Sequence, residues 1–264
     1  MSRLSLPFAA LLLLPSLALA SVGEVSVLEG EATRTAKGGK PQALKVGSAV
    51  ELHDTLNVKE GGSMKLTLTD KSVLMIGPGS ELEITEAKFK DQEREGFTAY
   101  LNVGKVWAKV SKALAGSDAK FEVQTDRAVA GVRGTIFRVD ATKMLDAAKP
   151  KQAAKSYTVV RVADGKVAVK APKVAAAAAN KPPAQLMSQV GLAQPKPKAE
   201  RRQVAGPQQI TKEAWEAKFT ELQKNRLVMV GDELWHEGEF QPDDEQDAFA
   251  GFVKKHEPTG PHEE

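Results

Sequence analysis

The sequence predicts an all-β domain, laid out as a compact irregular β-roll or short β-helix with a β-sandwich as the alternative, and followed by a C-terminal extension that is helical and partly disordered. Three observations predict it. Apolar residues recur at a period of two between residues 22 and 139, glycines punctuate the runs, and a basic stretch rich in proline and alanine separates them from an acidic C-terminal block. Strand side chains alternate between two faces, so a period of two marks half-buried strands.

The strands are read from runs such as Met64-Lys65-Leu66-Thr67-Leu68, Val106-Trp107-Ala108-Lys109-Val110 and Ile136-Phe137-Arg138-Val139. A glycine precedes an alternating run in Gly23-Glu24-Val25-Ser26-Val27, Gly104-Lys105-Val106-Trp107-Ala108 and Gly165-Lys166-Val167-Ala168-Val169. The intervals between these copies, 81 and 61 residues, are too uneven for a regular solenoid. Residues 143–155 read as a solvated loop inside the domain. Beyond it, Asp164-Gly165 suits a two-residue turn that would pair Val162 with Val167 and Val160 with Val169. That hairpin is expected to close a folded domain over residues 21–170.

The ends have a different character. Arg3, the apolar stretch with Leu11-Leu12-Leu13-Leu14, and Ala18-Leu19-Ala20 before Ser21 have the form of a secretory signal peptide over residues 1–20. Export to the periplasm is expected, with an extracellular fate as the alternative, and no transmembrane segment remains after cleavage. The chain has no cysteine, which excludes disulfides, thiolate chemistry and a lipid-modified cysteine.

Charge is arranged in blocks: residues 21–141 hold 17 basic and 17 acidic side chains, 142–212 hold 14 and 3, and 213–264 hold 5 and 14. The Pro/Ala/Lys stretch 171–209 has too few large apolar residues to order itself and reads as a linker. Order is expected to return over 210–252. Thr211 serves as N-cap there, and Trp215, Phe219 and Leu222 share one helical face at i, i+4, i+7, followed by an acidic aromatic segment. Residues 253–264 read as a disordered tail.

From Val22 to Val169 the order and spacing of motifs resemble the FecR domain family. The residues that carry the resemblance are Val22-Gly23-Glu24-Val25, Asp54-Thr55-Leu56, Leu66-Thr67-Leu68-Thr69-Asp70-Lys71-Ser72, Gly77-Pro78-Gly79-Ser80, and above all Ala128-Val129-Ala130-Gly131-Val132-Arg133-Gly134-Thr135-Ile136-Phe137. The chain departs from the family at His53 and Lys71, where glycine is usual. The resemblance implies an extracytoplasmic signalling or interaction module. The founding FecR proteins carry a cytoplasmic anti-sigma segment and a membrane helix before this domain, and the absence of both here implies a stand-alone module.

Several residues are candidates for a site. Arg133, between Gly131 and Gly134-Thr135, either clamps a carboxylate such as Asp126 within the fold or projects toward a partner. Asp54 and Asp70 are expected to cap turns. Trp215, Phe219 and Leu222 either dock on the β domain or present an apolar face to another protein. His53, His236, His256 and His262 are scattered, so no enzyme, metal site or cofactor is expected. The expected partners are envelope proteins, or anionic envelope polymers held by the basic linker. Export argues against nucleic acid.

Overall fold

A computed structural model of the chain describes residues 21–114, 116, 119–144, 154–171, 182, 184–192, 218–231 and 234–258. The expected signal peptide, the centre of the expected loop 143–155, most of the expected linker, Thr211 and Trp215 lie outside these residues. The elements are β1 Gly23–Glu29, β2 Ala32–Thr35, β3 Gln42–Ala43, β4 Ala49–Val50, β5 Thr55–Val58, β6 Ser63–Leu68, β7 Val73–Ile76, β8 Ser80–Lys90 and β9 Glu93–Lys109. They continue as β10 Lys120–Gln124, β11 Val129–Val132, β12 Ile136–Met144, β13 Lys155–Asp164, β14 Lys166–Ala171, α1 Ala184–Gln189, β15 Lys218–Gln223, β16 Arg226–Gly231, β17 Leu234–Glu239 and α2 Ala248–His256.

The protein is all-β, and its strands form two layers joined by one long strand. Sheet I runs β4-β1-β6-β7-β9-β12-β13-β16-β17, entirely antiparallel. Sheet II runs β3-β2-β5-β8-β9-β10-β11-β14-β15, antiparallel except for β9 with β10. The chain passes repeatedly from one layer to the other, which makes an irregular roll. Strand β9 belongs to both sheets and changes layer at Gly104, where φ is +107°. A Cβ there would lie 2.2 Å from Ser80 Oγ, so only glycine fits.

The main core lies between the sheets. In β6 the inward side chains are Met64, Leu66 and Leu68; in β10 they are Phe121 and Val123. Phe137 of sheet I meets Phe121 of sheet II edge to face, with ring centroids 6.3 Å apart. Burying each such side chain contributes about 1.5–3 kcal/mol. The outer face of sheet I carries two further apolar clusters. One brings Leu186 and Val190, in and just beyond α1, against Val159 and Met229. The other brings Phe249, Phe252 and Val253 of α2 against Val73, Met75 and Trp107.

Six expectations are corrected. Strands β13 and β14 do not form a hairpin, because β13 already has β12 on one edge and β16 on the other. Gly165, with φ +81°, instead turns the chain from sheet I into sheet II, and both valine pairs still face the core. The folded domain does not close at residue 170, since β15, β16 and β17 extend both sheets.

Residues 218–223 are a strand rather than part of a helix. Phe219 pairs with Lys170, and Leu222 pairs with Val167 and is buried. The open edge of β14 supplies a backbone ladder there that outweighs local helical periodicity. Within the expected linker, α1 is ordered and buries Leu186. In the expected tail, α2 runs to His256 with Val253 buried. At the loop 143–155, Lys143 and Met144 still belong to β12, and Lys155 opens β13.

Candidate functional site

The turn between β11 and β12 carries the Gly-Val-Arg-Gly-Thr motif. Gly134 adopts φ +59°, with Lys112 packed where its side chain would be. Thr135 is fully buried and donates from Oγ1 to the Lys166 carbonyl at 2.9 Å, which pins the turn to the start of β14. Arg133 is left exposed at the tip. Among the described residues it has no carboxylate partner, so the internal clamp on Asp126 does not form. Asp126 accepts from the Tyr100 hydroxyl instead and from Ser156 Oγ at 3.4 Å. The bond to Asp126 together with burial pushes the Tyr100 hydroxyl up to about 12.

Beside Arg133, the outer face of sheet II holds an open groove of about 550 Å³. Its floor is Gly131 and Ala168, neighbours in register across β11 and β14. Charged side chains rim it: Glu122, Lys166 and Glu221, with Lys166 paired to Glu221 at 3.1 Å. The two small residues keep this stretch of sheet low, so a segment laid across it would meet backbone and charge together.

The two aspartates occupy turns. Asp54 Oδ2 accepts from the Glu51 amide at 2.9 Å and pairs with Arg34 at 3.2 Å. Asp70 accepts from the Ser72 amide at 3.0 Å and from Ser72 Oγ at 2.8 Å, and it forms a fully buried ion pair with Arg94. Burial lowers the Arg94 guanidinium, with Asp70 opposing the shift. Both carboxylates are consumed by internal bonds. Of the apolar trio, Leu222 is buried in β15, Phe219 is in the same strand, and Trp215 lies outside the described residues.

Sequence reasoning missed a charged seam on the outer face of sheet I. Arg138 of β12 and Arg161 of β13 face each other in register, and Asp140 lies between them. Asp140 accepts from Arg138 Nε at 3.0 Å and pairs with Arg161. The segment entering α2 completes the seam. Arg138 donates from Nη1 to Asp247 Oδ1 at 3.2 Å and from Nη2 to Oδ2 at 2.5 Å, while Lys105 Nζ reaches Asp247 Oδ2 at 2.6 Å. Glu245 lies 3.1 Å from Arg138.

Asp247 also caps α2 by accepting from the Ala250 amide at 2.9 Å. Burial opposes its charge, but the Arg138 fork and Lys105 outweigh that and hold the carboxyl well below the usual range. At Glu245 burial wins and pushes the carboxyl up, with Arg138 and Arg161 opposing. The sequence signal was present but ambiguous. Arg138, Asp140 and Arg161 alternate with valines as solvent-facing strand residues do, and the distant C-terminal segment, with the Val190 carbonyl that accepts from Arg161 at 2.7 Å, makes this face an interior.

The fold is a two-layer β roll whose sheet II carries an open groove on its outer face. More particularly, residues 54–168 match the FecR protein family. The opening motifs near Val22 lie outside the matched stretch. No curated protein matches the chain.

Two crystal structures of a candidate anti-sigma factor from Parabacteroides distasonis are similar at 15% identity and TM-score 0.43, covering 71% of this chain and 60% of that one. The chain thus spans 60% of the length of that solved protein. A cell surface anchoring domain is 26% identical at TM-score 0.24, over 25% of this chain and 86% of that domain. Among the described residues no helix is long and apolar enough to cross a membrane, and no group of three potential ligands is placed to hold a metal ion.

Proposed function

We propose that this chain is a non-enzymatic recognition module of the bacterial cell envelope. In this reading it works outside the cytoplasm in a signalling role and binds a protein partner through the outer face of sheet II. The observation that carries the reading is Arg133, exposed without a carboxylate partner among the described residues, on a glycine-set turn beside the groove floored by Gly131 and Ala168. A guanidinium held at the rim of an open groove is suited to a bidentate bond with a partner's carboxylate. The FecR domain supports the signalling role.

A second reading is favoured by one feature: residues 142–212 hold 14 basic and 3 acidic side chains. On that reading the basic linker holds the protein to an anionic cell-wall or lipopolysaccharide polymer. Salt separates the two. Exposed charge contacts are screened over about 8 Å at physiological ionic strength and about 3 Å at 1 M. Envelope fractions from cells expressing the tagged chain are washed at rising salt. The recognition reading expects retention that resists salt and is lost on Arg133→Ala. Retention that disappears at moderate salt and ignores that substitution supports the polymer anchor.

A further inference from the structure

We infer that a cavity beside α2, on the outer face of sheet I, is a binding site for a compact neutral molecule with an apolar body and a hydroxyl group, an alcohol or a phenol, taken up with α2 in place. The site lies on the opposite sheet from the Arg133 groove and does not depend on it.

The cavity has a volume of about 240 Å³ and is lined from both outer apolar clusters of sheet I. Phe240 comes from the cluster around α1, and Trp107, Ile136 and Val253 come from the cluster under α2. Small-molecule sites commonly begin near ~300 Å³, so an occupant here is compact. The more exposed charges that line it are already paired, Asp164 with Lys224 at 3.1 Å and Lys254 with Asp243 at 3.3 Å.

Arg161 and Glu245 supply the buried polar lining. Arg161 is fully buried; its Nη1 pairs with Asp140, and its Nη2 donates to the Val190 carbonyl at 2.7 Å. Its Nε has no hydrogen-bond partner among the described residues. Glu245 Oε1 lies 3.9 Å from that nitrogen, beyond hydrogen-bond reach, while Oε2 is held 3.1 Å from Arg138. A buried N–H without an acceptor is costly, and the gap suits an oxygen set between the two groups. A hydroxyl there accepts from Nε and donates to Oε1.

The charges around the gap select against other ligands. With Glu245 ionised, Arg138, Arg161 and Lys105 are balanced by Asp140, Glu245 and Asp247. A carboxylate or phosphate would bring a further negative charge against Glu245 with no free cation to meet it. A carbonyl oxygen would set its lone pairs against Oε1, and a hydrocarbon would leave Nε unmet.

The test is an NMR titration of the isotope-labelled full chain with three probes: phenol, toluene, in which a methyl group replaces the hydroxyl, and benzoate, which adds a negative charge to the same ring. Phenol is expected to shift the Arg161 Nε–H signal saturably and to bind at least tenfold more tightly than toluene, because a site built around a hydroxyl discriminates against the analogue lacking it. Benzoate should leave that signal in place. Nuclear Overhauser effects from the phenol ring to the Ala163 and Ala250 methyl groups, which both line the cavity, locate the probe in wild type without any variant. Ala163→Leu fills the cavity from a half-buried position on β13 and should weaken phenol at least tenfold. Equal affinity for phenol and toluene overturns the inference, and so does tighter binding of benzoate. Undiminished phenol binding to a folded Ala163→Leu variant overturns it as well. No shift of the Nε–H signal with phenol overturns it too, because water alone then meets that nitrogen.

Discussion

Arg138 and Asp247, 109 positions apart, meet through two parallel hydrogen bonds of 3.2 and 2.5 Å, and this fork fixes the C-terminal segment on the family-matched stretch. One residue belongs to a central strand of sheet I, the other caps a helix beyond the family-matched stretch. The C-terminal segment is therefore part of the folded domain.

Removing the carboxylate leaves Arg138, which is 2% exposed, with less charge compensation, and it uncaps α2. Asp247→Ala is expected to cost about 3 kcal/mol in urea unfolding, within the range for breaking a buried pair. Asp247→Asn keeps a capping oxygen and should lose less. A double-mutant cycle with Arg138→Met should give a coupling above about 1 kcal/mol.

The same carboxylate sets the acid limit. Its folded pKa lies below the ordinary 3.8, so its contribution is complete above that pH and is lost as pH falls through the folded value. Glu245 acts in the opposite sense. Its folded pKa is above the ordinary 4.5, so protonation favours the folded state and stability rises as pH falls toward 4.5. Urea midpoints between about pH 3 and 7 should therefore pass through a maximum on the acid side of neutrality. Glu245→Gln should flatten the rise, and Asp247→Asn the fall.

Gly104 and Gly131 should respond differently to alanine. At Gly104 the positive φ and the contact with Ser80 make Gly104→Ala cost about 3 kcal/mol or more. At Gly131 the nearest atom to a new Cβ is 3.9 Å away, so Gly131→Ala should shift stability by less than about 1 kcal/mol. Thermal melts of both variants check the contrast.

Arg133→Ala should leave stability within about 0.5 kcal/mol, because the side chain is exposed and makes no ion pair among the described residues. Calorimetry tests this directly. A loss well above that figure would return Arg133 to a structural role.

The fold class was legible because β6, β10 and β14 alternate cleanly between core and surface. What alternation does not encode is which edge a strand finds. Val160 to Val169 reads as a hairpin, yet both edges of β13 are taken by strands far apart in sequence. Residues 218–223 carry a helix-like spacing, and the free edge of β14 decides otherwise. The Arg133 turn could be found from its flanking glycines. The seam of Arg138, Asp140 and Arg161 could not, since the groups that cover it, Glu245, Asp247 and the Val190 carbonyl, come from stretches far off in the sequence.

The recognition reading is tested most directly by placing a photo-reactive side chain at Ala168, on the floor of the sheet II groove, and irradiating living cells. One discrete protein adduct should form, and it should vanish when Arg133→Ala is added. A control probe at Thr67, on the other sheet, should not yield that adduct. No adduct at Ala168, or the same adduct at both positions regardless of Arg133, would contradict the account.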